Sequence, residues 1–207
     1  MDLAWRAVSA VARVAVWVGG ALLFAAAAIV SAEVLSRKGL GPLLGPQFMF
    51  SGSDEISAYL FAVGTSLSLA HVLVTRGHVR IDALYQHLGR RTRVHLDLLA
   101  LIVLAIFVAA LLERAWDVAS TSAVEQIRSN TPLRIPLAWA QMPWLGGIAL
   151  FALALALAIL RTVAALVRGD YATASTTSSA ISQDEEVEAE LEGLGLETER
   201  TGKAPQP

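Results

Sequence analysis

Residues Trp139 to Leu160 read WAQMPWLGGIALFALALALAIL, without an acid or a base among them. At about 1.5 Å of rise per helical residue, this run covers the roughly 30 Å of hydrocarbon in a bilayer. Its apolar residues are continuous rather than alternating, which argues for a helix over a barrel strand. A helix also satisfies its own backbone hydrogen bonds where there is no water to do so. Three other stretches read the same way: Val14 to Ala32, Ile56 to Val74 and Leu96 to Leu112. Charges stand at or near the edges of all four. Arg13 and Glu33 flank the first, Glu55 and Arg76 the second, Asp97 and Glu113 the third, and Arg134 and Arg161 the fourth. With 55% hydrophobic and 16% charged residues, the 207-residue chain lies far from the balance of a soluble domain. The expected fold is an all-α integral membrane protein with four transmembrane helices.

The segments between the spans carry their own signals. Gly41-Pro42-Leu43-Leu44-Gly45-Pro46 breaks helix and predicts a loop at the interface. Ser51 and Ser53, followed by Asp54 and Glu55, supply hydroxyl caps and first-turn acids to the second span. Ile81, Leu84, Tyr85 and Leu88 recur at helical spacing, which predicts a short amphipathic helix lying in the interface. Nine Arg residues border one side: Arg6, Arg13, Arg76, Arg80, Arg90, Arg91, Arg93, Arg161 and Arg168. Five basic residues border the other: Arg37, Lys38, Arg114, Arg128 and Arg134. The positive-inside rule then places both termini and the middle loop in the cytoplasm. The domain division is a cytoplasmic N-terminus at 1–13, a transmembrane domain at 14–168 and a cytoplasmic tail at 169–207. Eight of the eighteen acids fall between Asp184 and Glu199 of that tail, and its composition predicts disorder. Val30-Ser31-Ala32 resembles a signal cleavage site, but the apolar run before it is longer than a signal core, so the first span is expected to be retained.

Several chemistries are excluded or weakly signalled. Without cysteine there is no disulfide, thiolate catalysis or cysteine-ligated metal. No metalloprotease helix, nucleophile elbow or phosphate-cradling glycine loop occurs, so no catalytic residue is assigned. His71 and His78, seven apart and close to one helical face, motivate a four-helix b-type cytochrome membrane anchor as the alternative. His78, His87 and His95 nevertheless belong to the arginine-rich margin and not to matched depths inside a bundle. The span centres carry no acid or base, unlike an ion-conducting bundle. A stripe of Ser57, Gly64, Ser68 and His71 on the second span lets another helix approach closely, either from this chain or from a partner.

Three motifs together carry a family resemblance. Glu55-Ile56-Ser57-x-Tyr59-Leu60-Phe61 opens the second span, and Arg76-Gly77-His78-Val79-Arg80-Ile81-Asp82-x-Leu84 follows it. Thr131-Pro132-Leu133-x-Ile135-Pro136 leads to Trp139, Gln141, Pro143 and Gly146 in the fourth. From about Arg13 to Arg168 the chain resembles the small permease subunit of tripartite ATP-independent periplasmic (TRAP) transporters, the DctQ-like family. Ala58 stands where that family often has a basic residue, and the acidic tail lies outside its pattern. The resemblance implies a non-enzymatic scaffold in the bacterial inner membrane, serving Na⁺-coupled import of a small organic acid. The implied partners are a large permease subunit that carries the substrate and Na⁺ sites, a periplasmic solute-binding protein, and membrane lipid. Nucleic acid, cofactor and metal are not expected. It also implies subunit or interface roles for Glu55, Tyr59, His78, Arg80, Asp82, Pro136 and Trp139.

Overall fold

A computed structural model of the chain describes residues 2–40, 52–77, 89–171 and 173–174. Helix α1 (Asp2–Leu35) ends in a π-helical turn, Ser36–Leu40, and is followed by α2 (Ser53–Val74), α3 (Arg90–Val124) and α4 (Ala138–Val167). All four are long and apolar enough to cross a membrane. No strand occurs among the described residues, only an isolated antiparallel bridge between Arg128 and Pro136. The expected interfacial loop at 41–50, the amphipathic helix at 81–88 and the acidic tail lie outside the described residues.

Three helices outrun the apolar stretches that announce them. Helix α1 begins at Asp2, and its first turns bury Val8 and Ala12 against Ala70, Leu73 and Leu155. The Arg161 guanidinium lies 4.9 Å from the centre of the Trp5 ring, joining the same two ends. Helix α3 runs a dozen residues past Leu112. Each continuation is held by one packed face, a pattern that a search for uninterrupted apolar runs does not detect.

Helix α2 is the centre of the fold, packed against α1 on one side and α4 on another, while α3 packs on α4. Glycines set both of the α2 crossings. A Cβ on Gly19 would lie 2.6 Å from the Gly64 carbonyl oxygen, and one on Gly147 would lie 2.6 Å from the Ser66 backbone carbon. Between membrane helices, close van der Waals approach replaces the hydrophobic drive that lipid cannot supply. The stripe read on the second span is used at this crossing, where Gly64 and Ser68 face Gly19.

Helices α2, α3 and α4 all stop in the same way. Arg76, Gln126 and Gly169 take positive φ just past each end (61°, 52° and 71°). The next amide then reaches back to the helix: Gly77 to the Val72 carbonyl at 2.9 Å, Ile127 to Ser122 at 3.1 Å, and Asp170 to Ala165 at 3.0 Å. The start of α2 differs from the expected hydroxyl cap. Gly52 is its N-cap and no side chain caps it. The Ser53 hydroxyl instead donates to the Glu33 carboxylate on α1, which Arg37 also engages.

Candidate functional site

The first turn of α2 meets the connection between α3 and α4 at one end of the bundle. That connection folds as a short hairpin. The Ser129 amide donates to the Ile135 carbonyl and the Leu137 amide to the Ile127 carbonyl, each at 3.0 Å. At its tip, Arg134 takes a positive φ of 49° and its amide donates to the Thr131 carbonyl at 3.1 Å. The Arg128 guanidinium donates to the Arg134 carbonyl at 3.3 Å and holds the tip closed.

This hairpin delivers its hydroxyls to Glu55, which is only 5% exposed. Tyr59, one turn along α2, donates to one carboxylate oxygen at 2.8 Å. Thr131 donates to the other. The Ser129 hydroxyl lies 2.6 Å from that of Thr131. A buried carboxylate needs such a set of donors to offset its lost hydration. Hydrogen bonds to an ionised acceptor are also the strong ones, so Glu55 works as a latch that ties the hairpin to α2. Leu133 seals the latch beside Gly52, where a Cβ would lie 2.3 Å from its Cδ1. We expect Gly52→Ala to displace the Leu133 side chain and raise proteolytic cleavage of the 127–137 hairpin in detergent-solubilised protein. An unchanged cleavage rate would count against this packing.

The Asp and Glu side chains buried among the described residues are Glu55, in the first turn of α2, and Asp97, about two turns into α3, so they lie toward opposite ends of the bundle. No other Asp, Glu, Lys or Arg among the described residues is buried, so the interior of the bundle offers no charge between them around which to build an ion path.

A model of the DctQ component of tripartite ATP-independent periplasmic transporters matches residues 26–165. The chain belongs to the DctQ family. It is therefore a small membrane subunit of a TRAP transporter, in a family of transporter components and not of enzymes. No curated protein and no solved structure matches this DctQ chain significantly. The matched region contains α2, α3 and the whole Glu55 latch.

The DctQ residues singled out from sequence separate into three groups. Glu55 and Tyr59 meet directly, and Pro136 stands on the hairpin beside them, bridged to Arg128. Ser57, Gly64 and Ser68 are used inside the chain: Ser57 donates to the Asp54 carbonyl at 3.2 Å and Ser68 to that of Gly64 at 2.9 Å. The Nδ1 atom of His71, on the same stripe, is buried without a hydrogen-bond partner. Trp139 is 76% exposed at the start of α4. His78, Arg80 and Asp82 lie outside the described residues. Thr131 as a partner of Glu55, with Ser129 beside it, was not expected. They are distant in sequence, and no local pattern joins them to it.

Proposed function

We propose that this DctQ chain scaffolds the large permease subunit of its transporter for Na⁺-coupled import of a small organic acid. A periplasmic binding protein delivers the solute, and the system sits in the bacterial inner membrane. Both termini face the cytoplasm. The family match carries the reading, and the bundle supports it: a rigid set of glycine-set crossings, latched by Glu55, suits holding a partner in place. The arginine-rich end, with Arg76, Arg91, Arg93, Arg161 and Arg168, then faces the cytoplasm, and the Glu55 hairpin faces the periplasm. In this reading the motif residues His78, Arg80 and Asp82 supply donors and an acceptor suited to anionic headgroups at the cytoplasmic margin.

The cytochrome alternative draws no support from the helix arrangement. It rests on His71, which lies on α2, and on His78, which lies outside the described residues.

The test is solute uptake in cells lacking only this chain. Uptake is expected to vanish while the purified binding protein keeps its affinity for the solute. Uptake that persists with the large subunit alone contradicts the proposal.

A further inference from the structure

The outer half of α3 carries charge on the wrong side for lipid. Ala115 and Ala119 pack against Leu145 and Ile148 of α4. Gly147, between those two α4 residues, is the point where α4 touches Ser66 and Leu67 of α2. Ser66 lies thirteen residues from the start of α2 and eight from its end, so roughly 20 Å and 12 Å from the two ends. Contacting residues of neighbouring helices share a depth. Glu113, Arg114 and Asp117, all within one turn of Ala115 and roughly 10–17 Å before the end of α3 at Val124, stand at the level of that contact, inside the ends of the helices.

They point away from the bundle. Residues 113 and 117 are two positions on either side of Ala115, which at 100° per residue turns them to the opposite face of α3. Arg114 and Asp117 are 82% and 58% exposed at their side chains, 3.7 Å apart, and Glu113 is exposed beside them. Apolar Ile106 and Phe107 extend the same outward side toward the other end. Ionised groups at this depth face a protein interior or a water-filled cavity and not acyl chains. Two acids against one base leave an excess negative charge.

We infer that this face of α3, from Ile106 to Asp117, is the surface on which the large permease subunit docks. The occupant is a membrane-spanning segment of that subunit that presents a basic or hydrogen-bond-donating side chain to Glu113. This rests on the scaffold reading given above. Neither acyl chains nor a second copy of the same acidic face would satisfy the charge, whereas a donor-bearing helix does so and also covers Phe107 and Trp116.

The inference is tested by placing the photoreactive residue p-benzoylphenylalanine at position 113 or 117 of the full-length chain, in membranes that contain the whole transporter. Irradiation is expected to yield a covalent adduct with a co-purifying multi-span protein. If that protein co-purifies but both positions give only lipid adducts or water quenching, the docking face is wrong and the scaffold reading stands. If no multi-span protein co-purifies, both fall. In a second variant, Glu113→Gln with Asp117→Asn keeps side-chain size. It is expected to lower recovery of the partner at least about tenfold while the yield of this chain is unchanged. Unchanged recovery overturns the charge argument.

Discussion

Replacing Glu55 by alanine is expected to reduce solute uptake by about tenfold or more, because Thr131 and Tyr59 lose their charged acceptor in one step. The hairpin then keeps only the packing of Leu133 beside Gly52 as its tie to the start of α2. Glu55→Gln is the informative companion, since it keeps the side chain's length and loses its charge. It is expected to fall between the wild type and alanine, because a neutral amide oxygen still accepts from Thr131 or Tyr59. Uptake in whole cells, read beside the amount of chain in the membrane, separates a loosened latch from a chain that fails to accumulate. Full uptake by the alanine variant at normal abundance would show that the latch has no role in transport.

The adjacent pair Gly146 and Gly147 gives the second large effect. A methyl group on Gly147 would sit 2.5 Å from Ser66 Oγ, 2.6 Å from the Ser66 carbonyl carbon and 2.8 Å from the Leu67 amide nitrogen. Two of those atoms are backbone, so no rotamer change relieves the contact and α4 must move off α2. Overpacking of this kind costs about 1–3 kcal/mol, which in a chain of this size lowers the thermal midpoint by about 3–10 °C. Around Gly146 a Cβ meets nothing within 4 Å. Gly146→Ala is therefore expected to leave the midpoint unchanged or raise it, since alanine is favoured over glycine in a helix by about 1 kcal/mol. A thermal melt of each variant in detergent checks the difference. Equal destabilisation by both would mean that α4 is rotated from the position described.

That pair also marks where sequence reading stops. The four spans were legible because lipid imposes a length of uninterrupted apolar residues, and Trp139 to Leu160 meets it without ambiguity. The glycines were equally visible, but which of two neighbours touches α2 depends on the rotation of α4, which composition does not encode. The third span was placed at Leu96 to Leu112 because Glu113 interrupts its apolar run. Helix α3 continues to Val124 on the strength of Ala115 and Ala119, two small residues spaced for one helical face. Reading Glu113 as a span end hid its depth, and the apparent absence of central charge held for the interior of the bundle but not for its outer surface. Glu55 and Tyr59 stand out in sequence through the family motif, as interface residues and not as a hydrogen-bonded pair. The Thr131 bond to Glu55 could not be read at all, because it exists only once α3 and α4 have brought the hairpin back to α2.

The central claim, that this DctQ chain serves to hold a transport partner, is tested most directly by affinity purification of the full-length tagged chain from its own membranes, followed by mass spectrometry. A stoichiometric multi-span membrane protein, longer than this chain, is the expected companion. Recovery of the chain alone, or with a haem Soret band in its absorbance spectrum, would contradict the account.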